Sequence, residues 1–136
     1  SDNKNAIEKH PLSHRINMIQ GSSIDKKIIL KVKKFAKDKK KVLVILDSNH
    51  AHHHVLTELK TYSPLVVKGS YIIVFDTIVE DLPDEYFVNR PWNKKNNPKS
   101  ALREFLKTNH RFRTDNEIVD KLLLSAAPYG YLKCVR

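Results

Sequence analysis

The chain has 136 residues, 40% of them hydrophobic, and its 25 Lys and Arg against 15 Asp and Glu leave a net charge of +10. That length and apolar content suit one domain with a buried core. The longest apolar runs, Val42–Leu46 and Tyr71–Phe75, fall far short of the ~20 residues of a membrane span. No basic stretch followed by an apolar segment opens the chain, so a secretory signal is not expected either. The single cysteine, Cys134, cannot form an internal disulfide, and a reducing, cytoplasmic setting is the expectation.

Residues 5–13 read as a short helix ending near His10-Pro11. Arg15–Gln20 alternates in the manner of a short strand. Gly21-Ser22-Ser23 makes a turn, and Ser22-x-x-Asp25 resembles a capping box with Asp in place of Glu. A helix is predicted from there to about Asp38. Nine lysines fall between Lys26 and Lys41, interleaved with Ile28, Val32 and Phe35 at the i, i+4, i+7 spacing of a buried face. Such lysines read as a solvated outer face, and no aromatic residues spaced for base stacking accompany them. Nucleic acid is therefore the less favoured partner.

Val42–Leu46 is continuous and rich in branched residues, as in a parallel strand buried on both faces. A second helix carries Val55, Leu59 and Tyr62 on one side and ends before Pro64. Tyr71–Phe75 reads as another buried strand. Residues 80–97 hold prolines, asparagines and charges without periodicity, a long loop of the kind that carries function. Asn97-Pro98 opens a helix burying Ala101, Leu102, Phe105 and Leu106. Residues 112–135 suggest two strands joined around Glu117 to Lys121. Strand, helix, strand, helix, strand is the α/β pattern.

Both apolar strands run into an aspartate, Asp47 and Asp76, 29 residues apart. That is about one strand–helix–strand unit of ~30 residues. Its parallel strands bring both carboxylates to the carboxyl edge of the sheet, where open α/β sheets bind ligands. Two hard oxygen anions there suit Mg²⁺ or a similar ion, and sharing one requires them to converge within roughly 4 to 5 Å. The competing reading makes each aspartate a helix cap. His50 sits three residues past Asp47, placed to act as a general base. His50 and His54 at i, i+4 also admit a zinc pair, although no third ligand is near.

The run VLVILDSNHAHHHVLTELKTYSPLVVKGSYIIVFDT, with the blocks MIQGSSID, EDLPDEYF, RPWNKKNNPKSA and PYGYLK, resembles the cephalosporin hydroxylase family, which includes rhamnosyl O-methyltransferases. The resemblance implies a Rossmann-like class I methyltransferase sheet of order 3-2-1-4-5-7-6, S-adenosylmethionine as donor and a divalent metal, Mg²⁺ the first choice. It makes Asp47 and Asp76 metal ligands, and it sets Phe75 where the cephamycin-pathway member has a glutamate ligand. His50 stands where the similar catechol O-methyltransferase has its catalytic lysine, and Ser22, Ser23 and Ile24 form the loop against the donor's adenine.

The family's glycine-rich donor loop and its ribose-binding acidic residue have no counterpart here, and both would lie before Ser1. The expectation is that residues 1–136 are the C-terminal part of a single methyltransferase-like domain. Arg15–Gln20 would be its third strand and Val42–Leu46 its fourth, with the first two strands missing. Either a missing N-terminal segment or a partner chain, a homo-oligomer included, fills the slot between them, or the sheet is rearranged. The expected function is O-methylation of a sugar or natural-product hydroxyl, with residues 80–97 as the acceptor-site loop. The alternatives are a basic module binding nucleic acid or another polyanion, and a family member that has lost catalysis.

Overall fold

Residues 2–136 are described by a computed structural model. Helix α1 spans Asp2–Lys9, and a 3-10 turn at Ser13–Arg15 follows. Arg15–Gln20, expected as a strand, joins no ladder among the described residues. Its alternating side chains meet no neighbouring strand, and Ile16 and Met18 stay more than 40% exposed. Helix α2, Lys26–Ala36, is capped by Asp25, whose side chain accepts from the Lys27 backbone N–H. The capping box expected at Ser22 is therefore not the one used.

The sheet has the order β1-β2-β4-β3. Strand β1 (Val44–Leu46) runs parallel to β2 (Tyr71–Val74), with Val44 opposite Ile72. Helix α3 (His52–Tyr62) makes the crossover between them. Strand β4 (Tyr131–Cys134) is antiparallel to both β2 and β3 (Phe112–Thr114). The two last strands are those expected from 112–135, and their connection contains a further helix, α5 (Asn116–Leu122). The whole is a mixed α/β structure with a four-stranded open sheet, compatible with a Rossmann-like fold.

Helix α4, Pro98–Thr108, starts on a complete capping box between Asn97 and Ser100 and turns Ala101, Leu102 and Phe105 inward. They pack with Leu59 of α3 and Ile72 and Leu132 of the sheet in one apolar cluster. Leu59 is wholly buried, so trimming it to alanine costs about 2–5 kcal/mol. Gly130 lets the chain pass against β2. A Cβ there would lie 2.1 Å from the Val74 carbonyl oxygen, while its own carbonyl accepts from the Val74 N–H.

One side of the sheet is left open. The strands at 42–46 and 71–75 are expected to be buried on both faces, yet Ile45 is 53% exposed and β2 alternates buried and half-buried residues. The face of α2 expected to be buried is covered only in part. Ile28 and Val32 are half-buried, and Phe35 is exposed. The outer edge of β1 pairs with no strand among the described residues. No helix of the described chain is long and apolar enough to cross a membrane.

Candidate functional site

Two loops leave the carboxyl ends of the parallel strands side by side. Asp47 directly follows β1, and Phe75, ahead of Asp76, extends the pairing by donating its N–H to the Leu46 carbonyl. The structure thus brings the two aspartates singled out by spacing close together. Asp47, His50 and Asp76 each offer a ligand atom, and these atoms lie within 4.8 Å of one another. Asp76 adopts a left-handed backbone, φ 54 and ψ 26, a conformation Asp tolerates better than most residues. Its side chain makes no capping hydrogen bond, so the capping reading does not account for it.

His50 presents Nε2 to Asp76 Oδ2. Its Nδ1 is buried and has no hydrogen-bond partner. The Trp92 ring packs against the imidazole at 4.6 Å between centroids, and the Arg90 guanidinium lies 5.5 Å from the Trp92 ring. Trp92 belongs to the loop at 80–97, which is anchored at its base. Glu80 accepts from the Lys95 backbone N–H at 2.9 Å, from the Asn97 amide, and from Arg103 at 3.2 Å. Burial alone would raise the Glu80 pKa, and these donors together outweigh it and hold the carboxyl below its usual range.

The loop Ser22–Ile24 lies against α3 rather than apart from it. Ser23 is turned inward. Its hydroxyl donates to Glu58 Oε1 at 2.5 Å and lies 2.9 Å from His54 Nε2. Tyr62 donates its hydroxyl to the Ser23 carbonyl at 2.5 Å. Burial, helped by the Glu58 charge, pushes the Tyr62 phenol up, so it remains a hydrogen-bond donor. Ser22 is exposed and Ile24 half-buried. Of this loop only Ser23 lines a cavity of about 630 Å³, which it shares with Asp47, Ser48 and Glu58, and the walls are otherwise mainly apolar side chains of α2 and the β1 stretch such as Ile28 and Ile45.

The histidines divide by task. His50 precedes α3, which begins at His52, so His50 and His54 share no helix face and the zinc pairing has no geometric basis. His54 serves Ser23. His52 reaches Ser100 at 2.7 Å and Glu104 at 3.1 Å on α4. His53 is exposed. Glu58 and Trp92 are site residues that periodicity does not single out. The local signal for Glu58 was its place four residues after His54 and four before Tyr62.

A family model described as Rhamnosyl O-methyltransferase/CmcI matches residues 1–135. Relatives named Rhamnosyl O-methyltransferase, from Mycobacterium tuberculosis (strain H37Rv) and Mycobacterium bovis (strain BCG Pasteur), are each 33% identical over 66 residues. The match takes in 48% of this chain and 27% of each relative, so the chain corresponds to a minor part of their length. No solved structure matches the chain.

Proposed function

The chain belongs to the rhamnosyl O-methyltransferase/CmcI family, and from that premise we propose that the protein transfers the methyl group of S-adenosylmethionine to a hydroxyl of a sugar or natural-product acceptor, with a divalent metal at Asp47 and Asp76. The observation that carries this reading is the convergence of Asp47, His50 and Asp76 at the carboxyl edge of two parallel strands. Two carboxylates, with acceptor and water oxygens completing the shell, are a donor set that fits Mg²⁺ or Mn²⁺. A divalent ion held there lowers the pKa of a hydroxyl brought to it.

His50 is the proposed base. Asp76 holds one ring nitrogen, which leaves Nδ1 as the free acceptor, the arrangement in which a carboxylate orients a catalytic imidazole. The acceptor hydroxyl takes its place beside Nδ1, and the loop at 80–97, whose Trp92 ring packs on the imidazole, is the acceptor-side cover. S-adenosylmethionine, when bound, would supply the methyl group on its sulfonium and leave as the thioether, and His50 would take the proton of the acceptor hydroxyl. Ser22, Ser23 and Ile24 are the donor-side loop, with Ser23 both lining the cavity and holding the loop.

The sheet supports the same reading. A parallel pair followed by an antiparallel strand inserted before the last, β1-β2-β4-β3, is compatible with the 4-5-7-6 half of the expected order. The open outer edge of β1 is then where further strands of the methyltransferase sheet add, supplied from outside these residues. The lysine-rich α2 and the single buried cysteine fit a cytoplasmic enzyme with a solvated basic face.

The deciding experiment uses the full-length protein. S-adenosylmethionine or S-adenosylhomocysteine should raise its melting temperature, and release of S-adenosylhomocysteine with a saccharide acceptor should require the metal. Absence of both effects, with nucleic-acid binding that weakens steeply with salt, points instead to the basic module. Donor binding without turnover points to a member that has lost catalysis. A second reading, favoured by the closeness of all three ligand atoms and by Phe75 at a ligand position, makes His50 a third metal ligand. Mn²⁺ titration of His50→Ala separates the two: a base leaves Mn²⁺ affinity unchanged, and a ligand does not.

A further inference from the structure

Three side chains of α3 converge on one residue thirty or more positions earlier. His54, Glu58 and Tyr62 stand four residues apart, one above another on a single helix face. All three meet Ser23. The His54 imidazole lies 2.9 Å from its hydroxyl, Glu58 accepts from that hydroxyl, and Tyr62 donates to its carbonyl. Ser48, next to Asp47, points its own hydroxyl at the same Glu58 oxygen at 3.4 Å.

Glu58 is only 2% exposed, and its second oxygen is buried with no partner. A buried carboxylate half without donors is costly. An apolar side chain of similar size would pack the same helix face without that cost. The position is therefore better explained by what the first oxygen holds than by the stability of the fold.

We propose that Glu58 is a positioning residue for the donor: by fixing Ser23 it sets the Ser22–Ile24 loop at the cavity rim it shares with Asp47, and so tunes affinity for the methyl donor without touching the metal. This rests on the methyltransferase reading. The donor loop leaves Gly21 at φ 141, where a Cβ would come within 2.8 Å of Ile28, so the loop is hinged on one side by a glycine. It is clamped on the other by the α3 ladder. Among the described residues, no side-chain bond other than those of the α3 ladder reaches Ser22, Ser23 or Ile24.

The test is binding of S-adenosylhomocysteine and of Mn²⁺, measured separately by calorimetry on the full-length protein. Glu58→Leu should weaken S-adenosylhomocysteine about tenfold, the size of one lost charge-assisted hydrogen bond. Its Mn²⁺ affinity and melting temperature should stay at or above those of the parent. Glu58→Gln, which keeps an acceptor for the Ser23 hydroxyl, should recover most of the loss. Ser23→Ala should reproduce the Leu phenotype even where Glu58→Leu does not fold, and the Ser23→Ala/Glu58→Gln pair should be no worse than Ser23→Ala alone. Parent-like donor binding in Ser23→Ala or Glu58→Leu overturns the proposal. So does a parallel fall in donor affinity, metal affinity and melting temperature. A parent protein that binds no S-adenosylhomocysteine overturns the methyltransferase reading itself, and this inference with it.

Discussion

His50 reaches across from the loop after β1 to Asp76 at the end of β2, and its Nε2 rests against that carboxylate. The contact joins two strands' loops at the point where the parallel pair opens, and it decides which ring nitrogen is free. Removing the ring removes the proposed base and leaves the helix beyond it intact. His50→Ala in the full-length protein is expected to lose 10² to 10⁴ in transfer rate, on the order of a general base's contribution. Donor affinity should stay near that of the parent. His53→Ala, at an exposed position, should be silent in the same assay, and equal losses at both would sink the assignment.

His52 carries a different expectation. It ties the start of α3 to α4 through Ser100 and Glu104, while its backbone N–H donates to Asn96. Its replacement by alanine breaks two side-chain bonds of about 0.5–1.5 kcal/mol each. His52→Ala should therefore unfold at lower denaturant, while its turnover per folded molecule is unchanged. A variant as stable as the parent would show that this link contributes nothing.

Metal binding should depend on Asp47 and Asp76 separately. Asp47→Asn and Asp76→Asn are each expected to abolish Mn²⁺ binding by calorimetry and the heat-stabilisation it brings. Asparagine is the clean substitution at position 76, because it accepts the left-handed backbone there as readily as aspartate does. Asp76→Ala adds roughly 1 kcal/mol or more of backbone strain, which should appear as a lower melting temperature absent from the Asn variant.

Acid should act on this chain through two carboxylates held below their usual range. Asp115 is lowered chiefly by the Tyr71 hydroxyl, with Lys133 helping, and Glu80 by the Lys95 N–H, the Asn97 amide and the Arg103 and Lys99 charges against its burial. A depressed folded pKa means stability that is complete above the unfolded value. It is lost as pH falls through the folded one. The stability curve should be flat above about pH 5 and fall on acidification below about pH 4. Glu80→Gln and Asp115→Asn should each lower stability at neutral pH and flatten that acid limb, which denaturant titrations at several pH values will show.

What the sequence made visible was local and periodic. Asp47 and Asp76 were legible because each ends an apolar run, and one strand–helix–strand unit places their strands side by side. Asn97-Pro98 announced α4 for the same reason, a cap written in adjacent residues. The alternation in Arg15–Gln20 misled because a strand exists only where another strand takes its hydrogen bonds. Phe35 stayed exposed because spacing can define a helix face and cannot supply the surface that covers it. The α3 ladder was hidden twice. Val55 and Leu59 dominate the helix pattern, and its target, Ser23, lies 31 to 39 residues away.

The four-residue spacing of His54, Glu58 and Tyr62 has a consequence for how such a protein can diverge. An α-helix turns roughly 100° per residue, so losing or gaining one residue inside this stretch swings part of the ladder away from Ser23. That part of the chain is locked in length. The loop at 80–97, proposed as the acceptor-side cover, is not. Glu80 and Asn97 close its base, and doubling a flexible loop costs only about 0.6 kcal/mol. Insertions between them can reshape this loop while the α3 ladder keeps its register, so on the proposed reading new acceptors are reachable by changes that leave donor binding alone.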